Sequence, residues 1–329
     1  MNIKKQSDRQ NTPLTDDEIN RAIEEAENAR DSFQYIWLLD GIVLQDEIEI
    51  FPGIRLVPFP RSLGKRGEKI PRYVSKWAST VGIDYFFHKT QLTIDPSEAP
   101  EFNSEQFCEA LSLTCNFAVQ IATVISVKKD EEPFSLVPYA GPLVTYLPRD
   151  ASKDSDIVEA KCLNEHLEKL DSDVRRKLRI PINRWIKSHT EQSAMFNQMI
   201  DPEIRPEDIP GSLTTREVDK MIDLGIAFES LYLSGRKNLS RKFRRRASWF
   251  LKKDEAHRKA LKEKFEKVYD LRCDAVHEGK LPRDVEVCGK SVPISEFIKQ
   301  AQNLCQQSIL KIIKDTQFPD WAKIHIPDC

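Results

Sequence analysis

The sequence predicts an α+β domain followed by an all-α helical bundle. Between residues 33 and 148, short runs of β-branched and aromatic residues alternate with Pro, Gly and Asp, which is typical of strands joined by turns. After residue 157, apolar residues recur every three or four positions, the period of amphipathic helices. The polar stretch 149–157 between these patterns is predicted to be a linker. A chain of 329 residues is long enough for two such domains.

Residues 1–32 are predicted to form a mobile arm followed by an amphipathic helix. The first twelve residues are mostly polar. Thr15 and Glu18 then have the spacing of a capping box, in which two side chains satisfy backbone N–H groups at a helix start. We expect this helix to end near Arg30.

The α+β domain, residues 33–148, is predicted to contain five strands and one buried helix. The helix is expected over residues 104–126, because apolar residues recur at steps of three and four, at Phe107, Leu111, Cys115, Ala118 and Ile121. The domain has no glycine-rich phosphate loop, HExxH or GxSxG motif, so only a sensor or regulatory role is expected for it. The predicted strands are residues 35–39, 42–50, 54–59, 82–94 and 134–147.

Residues 158–329 are predicted to be entirely helical outside their loops. Residues 158–188 are expected to form one or two helices, with a break or kink at Pro181. Three prolines in residues 201–211 predict a loop, and Thr214 with Glu217 again has capping-box spacing. The later helices are expected at residues 214–234, 239–251, 254–277 and 294–314.

Composition excludes several classes of protein. The seven cysteines are an odd number, widely spaced and without a CxxC pair, which argues against a disulfide scaffold or a zinc ribbon. No N-terminal signal sequence and no apolar stretch of membrane-spanning length is present. We therefore expect a soluble, cytoplasmic protein that does not associate with a membrane.

Charge is distributed unevenly along a chain whose formal net charge is only -2. Residues 236–267, here called the basic block, contain fourteen Lys or Arg against four Asp or Glu. A solvated helix face would explain such a run, but guanidinium groups beside Trp249 and Phe250 favour contacts with RNA phosphates and bases. The predicted RNA-binding residues are Arg241, Lys242, Arg244, Arg245 and Arg246.

Arg272 and His277 form a candidate catalytic motif, with four residues between them, before Gly279. Arg184 and His189 repeat the spacing, so context must decide between the two pairs. The later pair follows the basic block and a helix with one carboxylate, Glu229, on its apolar stripe, and we expect Glu229 to point inward and pair with Arg272. The alternative is that this pair only ties two helices together and that His277 is merely a helix-end cation.

The segments 222–232 and 269–277 resemble the HEPN domain (higher eukaryotes and prokaryotes nucleotide-binding), most closely that of ApeA-like abortive-infection proteins. Residues 178–180 and 183–185 are similar to the first long helix of that family, and the resemblance spans about residues 160–315. The chain departs from the family pattern at Cys273, where Asn, Asp, His or Ser is usual, and at Glu278, which precedes the Gly.

The resemblance implies a metal-independent endoribonuclease that forms a homodimer through its helical domain and acts in anti-phage defence or as a toxin. His277 would act as base on the RNA 2′-hydroxyl, Arg272 would stabilise the phosphate, and Glu229 would orient Arg272. No cofactor is expected, and no metal-ligand spacing is present.

Geometry favours the dimer, because five residues on an ideal helix separate two side chains by about 140°. A distorted last turn or a two-fold partner would bring the motif together. Two other readings stay open: a non-cleaving HEPN protein that binds RNA or scaffolds a complex, and an interaction module whose basic block meets an acidic protein.

Overall fold

The structure is a computed structural model that describes residues 33–40, 44, 47–58, 90–94, 102–128, 135–137, 154–189, 214–233, 238–251, 254–324 and 326. The predicted N-terminal arm and first helix, residues 1–32, lie outside the described residues. The predicted loop at residues 201–211 lies outside them as well. Within the described residues, none of the helices combines the length and apolar composition needed to span a membrane.

The first part of the chain forms an antiparallel sheet of six strands in the order β2-β3-β4-β1-β5-β6. The predicted strands at residues 35–39 and 54–59 are confirmed. Those at 42–50, 82–94 and 134–147 are confirmed at residues 48–50, 90–94 and 135–137, and most of the remainder lies outside the described residues. The strands are β1 Phe33–Asp40, β2 Ile48–Phe51, β3 Ile54–Pro58, β4 Thr90–Ile94, β5 Gln120–Lys128 and β6 Ser135–Val137.

The predicted single helix over residues 104–126 is wrong in its second half. Helix α1 covers Ser104–Cys115 and ends at Asn116, whose φ of 54° leaves the right-handed helical region. Ser112 fixes the reversal, because its Oγ donates to the Cys108 carbonyl and accepts from the Val119 amide at 2.8 Å. The β-branched run that follows therefore pairs in the sheet as β5.

The predicted linker at residues 149–157 is also partly helical. Helix α2 begins at Asp154 and ends at Glu168, and Ile157 is buried against the sheet with Phe107 and Leu111 of α1. About two and three turns further along, Leu163 and Leu167 of α2 pack in the core of the helical region instead. Helix α2 therefore contributes residues to the core beside the sheet and to the core of the helical region. For this reason the change in composition near residue 150 did not mark the end of the first core.

Five further helices follow α2 in the part of the chain that the structure describes, and their predicted positions are confirmed to within two residues at most ends. Helix α6 begins after Asp254, whose side chain accepts from the His257 amide at 2.9 Å, and ends at Gly279 with φ 66°. Helix α4 lies at the centre, with one face buried. The helices are α3 Ser172–Ser188, α4 Thr214–Tyr232, α5 Leu239–Leu251, α6 Glu255–Glu278 and α7 Ile294–Asp315.

Of the break or kink predicted at Pro181, the break is not observed in α3. The helix runs through it, and Pro181 is buried together with Ile182 and Trp185. A proline inside a helix costs about 3 kcal/mol. Burial of the apolar residues that follow it offsets this cost, and the Trp185 indole also donates to the Gln302 carbonyl at 2.9 Å.

A hairpin interrupts the region predicted to be all helical. Strands β7 (Asp284–Val287) and β8 (Lys290–Pro293) pair through the two-residue turn Cys288–Gly289, where φ is 51° and 71°. Two positive φ values are those of a type I′ turn, which suits the twist of a tight hairpin. Val285 and Val287 are buried between exposed acidic neighbours, and this alternation was the signal that the helical interpretation missed.

Candidate functional site

The side chain of Arg272 lies in a slot on helix α4. A Cβ added at Gly225 would lie 2.2 Å from Arg272 Cγ, so the aliphatic part of the arginine rests directly on the glycine. One turn further along α4, Glu229 accepts from the guanidinium: Arg272 Nη2 lies 3.1 Å from Oε1 and 3.2 Å from Oε2. The predicted contact between Arg272 and Glu229 is therefore present.

The pair is less buried than the sequence indicated. The side chains of Arg272 and Glu229 are 24% and 28% exposed, so the carboxylate lies at the edge of the bundle, not in its interior. Among the described residues, Glu229 accepts a hydrogen bond from Arg272. The Nε atom of Arg272 is buried and has no hydrogen-bond acceptor there. The buried Nε cannot reach a phosphate, but the side chain is 24% exposed and a guanidinium carries five N–H donors, so Nη donors beyond the Glu229 contact are left for one.

Tyr269 lies on α6 three residues before Arg272 and was not among the predicted site residues. Burial raises the pKa of its phenol above the usual value, and nearby Cys273 and Glu229 raise it further, whereas Arg272 lowers it. The phenol therefore stays protonated at neutral pH and can donate a hydrogen bond. The spacing of three from Arg272 could have predicted its place beside the pair.

His277 is exposed in the last turn of α6 and does not meet Arg272 within one chain. The helix is continuous through Glu278, so the distorted last turn that could have joined the two residues is not observed. On this regular helix they are separated by about 140° around the axis and about 7.5 Å along it. Arg272 faces α4, whereas His277 faces away from that slot into solvent.

An exposed apolar residue adjoins His277. Val276 is 45% exposed, one of three large apolar side chains with high exposure among the described residues. It is four residues from Arg272 and therefore on nearly the same face of α6. The C-terminal end of α6 thus carries both an ionisable and an apolar surface.

The second Arg-His pair has a structural role in this fold. Arg184 Nη1 donates to Asp223 Oδ1 at 2.7 Å and ties α3 to α4. His189 follows α3 and packs edge-on against Trp185, with ring centroids 4.5 Å apart. This arrangement leaves Arg272 and His277 as the candidate catalytic motif.

Arg246 is not a surface residue, which corrects its assignment to RNA binding. It is only 9% exposed, donates to the carbonyls of Tyr232 at 2.8 Å and Trp321 at 3.1 Å, and lies over the Trp321 ring. The reason is its position on α5, where Phe243, Ala247 and Phe250 form the buried face. Arg246 shares that face.

The other four predicted RNA-binding residues differ in their surroundings. Arg244 forms an ion pair with Glu266 of α6. Arg245 donates to the Ile326 carbonyl near the C-terminus. Arg241 is the most exposed of the five, and Lys242 is half-buried, as Arg244 and Arg245 are.

Within the described part of the chain, no group of three or more His, Cys, Asp or Glu side chains is arranged to hold a metal ion. Comparison of the chain with protein-family models, with curated proteins and with solved structures found no match. The functional interpretation therefore depends on the residues of the site.

Proposed function

We propose that this chain is a metal-independent endoribonuclease of the HEPN type, with Arg272 and His277 as its catalytic residues. The observation that carries the proposal is the slot formed by Gly225 and Glu229. This slot holds the Arg272 guanidinium in a fixed place and leaves some of its N–H donors without a protein acceptor among the described residues. Exposed His277 lies at the same end of α6. A fixed cation can stabilise charge that develops on a phosphate.

The reaction uses the 2′-hydroxyl of RNA as the nucleophile. His277 takes the 2′-hydroxyl proton while that oxygen attacks the adjacent phosphorus, and the bond from phosphorus to the 5′-oxygen breaks. The departing 5′-oxygen takes a proton from solvent water and His277 returns its proton to solvent, so the products are a 2′,3′-cyclic phosphate and a 5′-hydroxyl. Histidine suits this step because its ordinary pKa of about 6.5 allows proton exchange near neutrality.

A homodimer supplies the geometry that one chain lacks. Since Arg272 and His277 face different sides of α6, a two-fold partner that packs on the end of this helix would place its His277 near Arg272 of the first chain. Val276 is the exposed apolar residue that such contact would cover. Each composite site would then use Arg272 from one subunit and His277 from the other.

Anti-phage defence or toxin activity, triggered through the N-terminal α+β domain, is the biological role that the HEPN resemblance implies. The second candidate is a non-cleaving HEPN protein that binds RNA or scaffolds a complex. One observation favours it: the regular end of α6 keeps Arg272 and His277 apart in a single chain. Cleavage activity distinguishes the two.

The test is incubation of the purified full chain with total tRNA and with mRNA, followed by gel analysis. His277→Ala should abolish cleavage, whereas His166→Ala, which alters an exposed histidine of α2, should leave it intact. RNA that binds but is not cut by the unaltered chain would contradict the proposal and support the non-cleaving alternative.

A further inference from the structure

A cavity of about 270 Å³ lies between α5 and the first two turns of α6. From α5 it is lined by Arg245, Ser248 and Trp249, which share one face at spacings of three and four. From α6 it is lined by residues at the same spacings, including Arg258 and Lys262. Ile326 closes one side, where Arg245 donates to its carbonyl.

The cavity combines mainly apolar walls with a cationic rim. Four of its lining residues, Arg245, Arg258, Lys259 and Lys262, are basic, and Glu255 is the one acidic lining residue in the described part of the chain. Trp249 is partly exposed and presents an indole surface to the space. A ligand that suits this cavity has a flat apolar part and a compact negative charge.

We propose that this cavity binds a nucleotide, with the base against Trp249 and the phosphate on Arg258 and Lys259. Base stacking on aromatic side chains tolerates every base, and guanidinium groups bind phosphate oxygens in pairs. Arg258 is held in place for this, because its Nε donates to the Asp254 carbonyl at 3.3 Å. The volume lies near the lower end of small-molecule sites, which span roughly 300 to 1,000 Å³.

The nucleotide site is separate from the cleavage motif. Lys262 and Arg272 are ten residues apart on α6, which corresponds to about 15 Å along the helix. Nucleotide binding therefore does not depend on the reaction assigned to His277. The bound group can be one nucleotide of an RNA chain or a free mononucleotide, and the two sources share the same chemistry.

The experiment measures binding to the full chain carrying His277→Ala, so that no probe is cut. The probes are AMP, UMP, adenosine, inorganic phosphate and a short oligouridylate, studied by calorimetry. AMP and UMP should bind more tightly than either adenosine or phosphate, because the site holds both parts. Competition between AMP and the oligouridylate for one site identifies RNA as an occupant, whereas binding of AMP alone identifies a free nucleotide.

Two variants locate the site. Trp249→Leu keeps an apolar wall but removes the stacking surface, and Arg258→Ala with Lys259→Ala removes the phosphate contacts. Each should weaken binding of the tightest probe by about tenfold, as loss of one stacked base or charged contact typically does. Lys299→Ala with Lys314→Ala removes the same charge from exposed positions of α7 and should have no such effect.

The proposal is overturned if no nucleotide probe binds, if adenosine or phosphate binds as tightly as AMP, or if binding survives both cavity variants. Thermal unfolding of each variant verifies that it is folded. Arg258 and Lys259 are not core residues, whereas Trp249 is partly buried against the core, and Trp249→Leu keeps an apolar side chain at that contact.

Discussion

Arg272 crosses helix α4 directly over Gly225, at a distance that leaves no room for a Cβ atom. The next turn of α4 provides Glu229, so a single helix supplies both the space for the arginine and its counter-ion. Two residues therefore set the position of the guanidinium: Gly225 through its small size and Glu229 through its negative charge.

Gly225→Ala should reduce RNA cleavage and also lower stability, because the added Cβ would lie 2.2 Å from Cγ and 3.0 Å from Cβ of Arg272, close to the backbone of α6. The new methyl group displaces Arg272, while alanine raises helix propensity by about 1 kcal/mol over glycine and offsets part of the crowding. Cleavage rate and the free energy of unfolding are measured on the same preparation. Unchanged cleavage would show that the position of Arg272 over Gly225 is unimportant for activity.

Arg272→Ala should lower the cleavage rate by about 10² to 10³, the usual cost of losing one group that stabilises a transition state. Arg184→Ala is the matched control, because it also removes an ion pair between α4 and a neighbouring helix. Similar stability for the two variants, with loss of cleavage in Arg272→Ala alone, is the expected result. Equal cleavage by both would assign Arg272 to helix pairing only.

Glu229→Gln should affect cleavage less than Arg272→Ala. The amide oxygen can still accept a hydrogen bond from Arg272 Nη2, so the guanidinium keeps part of its orientation. A kinetic comparison of the two variants measures the difference. A larger loss for Glu229→Gln would mean that the carboxylate acts on RNA itself.

Much of this site follows from spacing along the chain. Glu229 lies on the apolar stripe of α4, and a carboxylate there needs a cation, which is why Arg272 was predicted as its partner. The sequence did not predict how deeply the Arg272–Glu229 pair is buried, because the position of the bundle edge depends on how α4 and α6 cross. Arg246 was misassigned for a related reason. It stands in a run of basic residues and was therefore predicted to lie on the surface, but its position falls on the buried face of α5.

The fold was predictable where local signals and packing agree. Helix α5 begins and ends where its apolar period does. Helix α1 and strand β5 were merged because their apolar spacing continues across Asn116, and only the left-handed conformation there and the Ser112 hydrogen bonds separate them. The hairpin at Cys288–Gly289 was missed because the surrounding pattern is helical.

Arg246→Met should destabilise the helical region by about 2 kcal/mol, because the carbonyls of Tyr232 and Trp321 lose buried donors. Arg241→Met removes the same charge at an exposed position and should change stability little. Urea unfolding of both variants measures the difference. Equal free energies of unfolding would contradict a structural role for Arg246.

Arg241→Ala with Lys242→Ala should weaken RNA binding and reduce its dependence on salt. Two lost phosphate contacts lower the slope of log affinity against log salt by about 1.4 for single-stranded RNA. Titrations of RNA at several salt concentrations give that slope, with Lys299→Ala and Lys314→Ala as the charge-matched control. An unchanged slope would show that this surface faces something other than RNA.

Glu109→Gln should stabilise the protein at neutral pH. Burial, with a smaller contribution from the neighbouring charge of Glu105, raises the pKa of Glu109 to about 6, although Arg175 and Arg179 lower it, so the folded state disfavours the charged form. The carboxyl therefore contributes stability below pH 4.5, and this contribution is lost as pH rises through about 6. The variant should gain about 1 to 2 kcal/mol at pH 7.5 and nothing at pH 4.

The control for Glu109→Gln is Glu286→Gln, which alters an exposed carboxylate of β7 that is not among the groups acting on Glu109. Unfolding free energies at both pH values are compared for the two variants. An equal gain in stability for Glu286→Gln would show that burial of Glu109 is not the cause.

A mixture of Arg272→Ala and His277→Ala chains should recover cleavage that neither shows alone. If each site takes Arg272 from one subunit and His277 from the other, half of the dimers in an equal mixture are mixed, and one of their two sites is intact. The recovered rate should be about a quarter of the unaltered rate. No recovery, with light scattering showing dimers that exchange subunits, would place both residues of each site in the same chain.

The mechanism is tested by cleavage of one RNA and of a copy that carries a 2′-deoxy sugar at the cut site, each with and without EDTA. The account predicts that the RNA is cut equally well in EDTA to give a 2′,3′-cyclic phosphate and a 5′-hydroxyl, and that the deoxy copy is not cut at that site. Loss of cleavage in EDTA, or efficient cleavage of the deoxy copy, would contradict the assignment of the 2′-hydroxyl as nucleophile and His277 as its base.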